Sequence, residues 1–158
     1  VGETAYDALA SYVTSGAYRD DQPELLVWMV PVWEKPERFG DQPTQELIAA
    51  AGGQCGPATQ LSRHKDGLLR ADVSGVDAST GSMLRLTSED AAIAEARFQF
   101  VSASGERRTR RVIRRQPELA TSEMYVPLSG LWPEGVAELA VDLGDTPQSA
   151  ISIAVCKI

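Results

Sequence analysis

A chain of 158 residues with 43% hydrophobic and 23% charged side chains has the make-up of one folded domain built on a single sizeable core. Its formal charge of -7, from 22 acids against 15 bases, excludes general adhesion to nucleic acid or to an anionic membrane, so any affinity for an anion has to be local. No apolar run approaches the roughly 20 residues of a membrane span, and the longest, Leu25 to Trp33, is interrupted by Pro31.

The first predicted element is a short helix over residues 5–14. Thr4 is placed to cap it, and Tyr6, Leu9, Ala10, Val13 and Ala17 recur at helical spacing until Ser15-Gly16 weakens the pattern. Tyr6, Tyr12 and Tyr18 fall six residues apart, which puts them on different helix faces and favours ordinary packing over a stacking ladder. After the turn residues Arg19 to Pro23, the run Glu24 to Val30 is apolar at both parities and reads as a central strand covered on both faces. Pro31 ends regular pairing, and Trp33 and Phe39 in the loop that follows are expected to lid the end of the core.

A second helix is predicted over residues 43–51, with Pro43 in its first turn, Leu47, Ile48 and Ala51 on its apolar side, and Gly52-Gly53 at its end. Gln54 to Pro57 reads as loop, Ala58 to Arg63 as a polar strand, and Lys65-Asp66-Gly67 as a turn. From there the pattern becomes short alternating runs separated by turns every eight to twelve residues, with strands over Leu68 to Val76 and Met83 to Leu86.

Ala94 to Arg115 is the clearest two-strand unit. In the first arm Ala94, Ala96, Phe98 and Phe100 face a core while Glu95, Arg97 and Gln99 face water. Ala103-Ser104-Gly105 suits a three-residue loop with the glycine left-handed, and Ser104-Gly105 would close a two-residue one. The return arm carries Arg107, Arg108, Arg110, Arg111, Arg114 and Arg115, so six of the 15 bases fall within nine residues. With charge on both faces it belongs at a sheet edge, and Glu95 is expected opposite or diagonal to Arg114.

Further strands are predicted at Met124 to Leu128, Val136 to Leu143 and Ala150 to Ile158. Trp132 is placed at a strand corner, capping the space between sheets, and Asp145-Thr146-Pro147 forms a turn. About eight strands and two helices make a mainly β, antiparallel two-sheet sandwich of Greek-key type, immunoglobulin-like or transthyretin-like. It is a single domain over residues 1–158, with residues 1–57 a mixed helix and strand portion.

Candidate chemistry is sparse. His64, the single histidine, lies among charged residues beside a turn, and Ser62 to Lys65 matches a serine-x-x-lysine spacing common by chance. Gln54-Cys55-Gly56 is similar over three residues to papain-like active sites, which makes a small cysteine hydrolase using Cys55 and His64 the alternative to a non-enzymatic protein. Cys55 and Cys156 can also form one disulfide, closing a loop of about 100 residues and worth about 4 to 5 kcal/mol. Asp20-Asp21 and Glu89-Asp90 read as solvated turn acids rather than calcium ligands, and no cofactor or metal site is expected.

The arginine arm stands above this background, because planar guanidinium forks grip phosphate, sulfate or carboxylate in pairs of bonds. Shielding of a sheet edge and pairing with neighbouring acids are its structural roles. The sequence therefore predicts a non-enzymatic module of an exported, cell-surface or particle-associated protein. It would act through contact with a protein or glycan partner, with an anionic one and a homo-oligomer allowed and nucleic acid disfavoured. A subunit of a fibre, pilus or virion, joined through an N-terminal segment or an open sheet edge, is a further alternative.

Overall fold

The computed structural model describes residues 5–29, 42–76, 78, 81–89, 91–113, 120–144 and 150–158. Thr4, Trp33, Phe39, Arg114, Arg115 and the Asp145 to Pro147 turn lie outside the described residues.

The described residues form three helices, α1 (Ala5–Val13), α2 (Gly16–Asp20) and α3 (Gln42–Gly52), and ten strands. In order the strands are β1 (Gln54–Cys55), β2 (Thr59–Gln60), β3 (Ser62–Arg63), β4 (Leu69–Val76), β5 (Ser82–Ser88), β6 (Glu95–Val101), β7 (Arg107–Ile113), β8 (Glu123–Pro127), β9 (Val136–Asp142) and β10 (Ile151–Lys157). They make an antiparallel two-sheet sandwich. One sheet runs β1-β10-β5-β8 with β2 also on β10, and the other runs β3-β4-β9-β6-β7. From β4 to β10 the chain changes sheet at every connection except the β6-β7 hairpin, so the two layers are interleaved through the sequence.

Alternation explains the core. Ala96, Phe98 and Phe100 of β6 and Leu139 and Val141 of β9 meet Leu84 and Leu86 of β5, Met124 and Val126 of β8, and Ile151 and Ile153 of β10. The opposite parity of the first sheet, Met83, Tyr125 and Cys156, packs against Ala49 of α3 instead. β10 is therefore apolar on both faces because it lies between the sandwich core and a helical layer. Trp132 is buried at the β8-β9 corner and joins the main core, as its place in the sequence predicts.

Several local expectations are corrected. The run Glu24 to Met29 is not a central strand: it bends at Glu24 and pairs with no strand among the described residues, and Leu25, Val27 and Met29 are exposed. Two-sided apolarity specifies cover on two sides without saying which molecule supplies it. The helical signal does not end at Ser15, whose side chain caps α2 by accepting from the Tyr18 amide. That break reorients the chain, so Tyr12 and Tyr18 meet edge to face at 5.5 Å, which a single continuous helix would forbid.

On α3 the buried positions are Glu46 and Ala49, while Ile48 and Ala51 face outward, so the apolar side is rotated from the one predicted. Gln54 and Cys55 are strand rather than loop, and Ala58 to Arg63 is not one strand. β2 joins the first sheet and β3 the second, with Leu61 turning between them and its amide donating to Ile151 O at 2.9 Å. The hairpin closes as the three-residue loop, with Ser102 N donating to Glu106 O at 2.9 Å and Gly105 at φ 85, a left-handed conformation that favours glycine.

Candidate anion-binding edge

Among the described residues β7 is the last strand of its sheet, and pairing with β6 sorts its arginines by parity. Arg108 and Arg110 stand opposite Phe100 and Phe98, on the side that faces the core; Arg107, Thr109 and Arg111 stand opposite Val101, Gln99 and Arg97, on the outer face. The phenylalanines fill the space between the sheets, and on β7 that core is closed by Val112 at one end and by the two arginines toward the hairpin turn. A long side chain with an apolar stem and a charged tip suits this position, because the stem covers the margin of the core while the tip reaches water.

Both inward arginines turn to the β8-β9 corner. Arg110 Nη2 donates to Ser129 O at 2.6 Å, and Arg108 Nη1 donates to Gly130 O. The Arg108 guanidinium also lies over the Trp132 ring, 4.9 Å from its centroid. Gly130 has φ 75, and a side-chain carbon added there would sit 3.8 Å from Arg110 Nη2, in contact with the guanidinium that its loop helps to hold.

These carbonyl partners are neutral and orient the guanidinium groups. Arg110 makes no ion pair among the described residues, while Arg108 is also paired with the exposed Glu106, its Nη2 donating to Oε1 at 3.4 Å. Burial, with the like charge of Arg108 beside it, pulls Arg110 below its ordinary value. The outward side differs: Arg111 gives Glu95 two bonds, Nε to Oε1 at 2.7 Å and Nη2 to Oε2 at 2.8 Å. That pairing raises the arginine and lowers the carboxylate. Glu95 stands opposite Ile113 and diagonal to Arg111, in place of the expected Arg114. Arg107 is exposed and makes no ion pair among the described residues.

The six arginines read from the sequence as one cationic arm therefore separate. Arg108 and Arg110 are oriented by carbonyl groups, Arg110 with no ion pair among the described residues and Arg108 with one long one to Glu106; Arg107 is unpaired on the opposite face, Arg111 is held by Glu95, and Arg114 and Arg115 lie outside the described residues. The signal that separates them was present in the sequence as strand parity, but it needed the register of the hairpin and the position of Gly130.

Cys55 and Cys156 form a disulfide. Its sulfur committed, Cys55 offers no thiolate, and the hydrolase reading on Cys55 and His64 loses its nucleophile. His64, Ser62 and Lys65 are exposed around the turn that precedes β4. Asp20, Asp21 and Glu89 are exposed, and among the described residues no three His, Cys, Asp or Glu side chains gather to hold a metal. No helix of the described residues is long and apolar enough to cross a membrane.

No protein-family model matches this chain, and no curated protein matches it. Among solved structures it is similar to AlgX of Pseudomonas aeruginosa, the subject of a structural and functional characterization, with a TM-score of 0.59 and 15% identity. The match covers 96% of this chain and 38% of the AlgX chain, so this chain spans little more than a third of that protein's length. At that identity the likeness concerns the fold alone.

Proposed function

We propose that the protein is a non-enzymatic, exported β-sandwich module that acts by contact, and that Arg108 and Arg110 receive an anionic group of a protein or glycan partner. The observation that carries the reading is the pair of guanidinium groups fixed by neutral carbonyl oxygens at an open sheet edge. An arginine spent on a carboxylate has little left for a ligand; one held by carbonyls keeps its charge and several N–H donors. Export is supported by the Cys55 to Cys156 disulfide, a bond that persists where the surroundings are oxidising.

The test is chromatography on immobilised heparin, chosen as a dense oxyanion surface. The wild-type chain is expected to be retained at low salt and released as salt rises, despite its net charge of -7. Arg108→Ser with Arg110→Ser is expected to abolish retention, while Arg111→Ser leaves it nearly intact because that side chain is already paired. Unchanged elution of the double variant would discard the site.

A further inference from the structure

The outer rim of β7 is open, since no strand among the described residues pairs beyond it. The same chain holds a segment with no strand or helix assignment. From Gln22 to Met29 no strand pairing occurs among the described residues, and Leu25, Val27 and Met29 are 77%, 69% and 83% exposed, with Leu26 and Trp28 partly exposed between them. Five consecutive apolar side chains of one segment thus meet water. Addition to a sheet edge supplies what such a segment lacks, main-chain partners together with cover for its side chains.

Charge indicates which edge. The exposed acids Asp20, Asp21 and Glu24 lead into the apolar run, and no base interrupts the stretch from Asp20 to Met29. Along its edge β7 carries Arg107 from the outer face and Arg108 and the half-buried Arg110 from the core side, and ends at Ile113, which is itself 44% exposed. An arginine-rich edge repels a second copy of itself and accepts a strand led by acids, so one set of charges both excludes and selects.

We infer that residues 22–29 of one copy pair with β7 of a second copy, with Asp20 and Asp21 at the end of α2 leading into the contact. The acids meet Arg107, Arg108 and Arg110, and the apolar side chains lie against Ile113 and the aliphatic stems of the arginines. The inference rests on the reading that Arg108 and Arg110 are available to an anionic group, and it names that group's carrier as this chain itself. Donor segment and acceptor edge are different surfaces, so the contact is head-to-tail and generates a ring or an open filament.

Sedimentation velocity over about a hundredfold range of concentration tests it, with at least about a twofold rise in mean mass expected at low salt and reversal at high salt. Two variants carry opposite reversals, Arg108→Glu with Arg110→Glu, and Asp21→Lys with Glu24→Lys. Each alone is expected to stay monomeric. Mixed together they are expected to associate, because every acid then faces a base again, and that rescue also shows that both variants fold. The Asp21 and Glu24 variant is further expected to keep wild-type retention on heparin. A wild-type chain retained on heparin but monomeric throughout would overturn this inference and leave the anion site standing. Association that survives either reversal, or a mixture that stays monomeric, would overturn it too. Charge-dependent association without heparin retention would remove the external ligand and keep the self-contact.

Discussion

The two outer faces of the sandwich are built from strands of similar length and treated in opposite ways. The β1-β10-β5-β8 sheet is covered: α3 lays Ala49 on Met83, Tyr125 and Cys156, the Arg19 side chain of α2 pairs with Glu123 and donates to Ser122 Oγ at 3.0 Å, and the Thr14 hydroxyl lies 3.0 Å from that of Thr121. On the β3-β4-β9-β6-β7 sheet, Asp72, Ser74, Arg97, Thr109 and Arg111 are exposed, and Arg70 holds Asp66 and Glu138 beside them. The covered face spends its polar groups on docking a layer. The bare face spends most of them on one another, and its margin at β7 holds Arg108 and Arg110 on carbonyl groups, which is where we propose that an anion binds.

The largest expected effect that tests this contrast is loss of the disulfide. Cys55 and Cys156 are 101 residues apart and stand opposite each other on β1 and β10, so the bond pins the end of α3 to the covered sheet. Cys55→Ser with Cys156→Ala is expected to lower unfolding stability by about 4 to 5 kcal/mol in urea titrations, chiefly by freeing the unfolded chain. Hydrogen exchange is expected to locate the weakness, with α3 amides losing protection ahead of those of β6 and β9. Equal loss across both sheets would show that the helical layer and the sandwich open as one unit.

A second test uses alkali. Burial raises the Tyr125 hydroxyl far above its ordinary value of 10.0, with the Glu123 carboxylate adding to the rise, and the hydroxyl donates to Glu123 Oε2 at 3.0 Å. Because the folded-state value stands above the unfolded one, this contribution is complete below about pH 10 and drains away as pH rises toward the folded value, at a slope of about 1.4 kcal/mol per pH unit. Tyr125→Phe is expected to flatten that alkaline limb while leaving the rest of the profile in place. A variant that keeps the full slope would assign the limb to another group.

The covered and bare faces also differ in how far they can be read from sequence. The alternation of β6, β9 and β10, the Gly105 turn and the Trp132 corner follow from side-chain period and turn chemistry, which act within a few residues. The division of the arginines does not, because it depends on register against β6 and on the Ser129 and Gly130 carbonyl groups, about twenty residues further on. The contrast between Glu24 to Met29 and Ile151 to Lys157 has the same origin. Both runs are apolar at both parities, yet one is enclosed between α3 and the core while the other is exposed. Composition states that cover is required, and long-range topology decides who provides it.

The smallest expected effect belongs to the bare face and to acid. Arg111 holds the Glu95 carboxyl below its usual range, Arg70 does the same for Asp66, and Ser74 for Asp72. With folded-state values below the unfolded ones, their contribution is present above the ordinary carboxylate range, near pH 4, and is lost as pH falls through the lowered values. Arg111→Gln returns Glu95 toward its ordinary value and removes that share, so variant and wild type are expected to differ slightly at neutral pH and to converge in acid. The groups are exposed, and added salt is expected to shrink the difference further. Salt should leave the Tyr125 limb nearly untouched, since burial and not an exposed ion pair is its main cause. If salt moved both limbs equally, the distinction between a desolvated face and a wet one would fail. If the acid limb alone responded, the two sides of one sandwich would have been separated by titration.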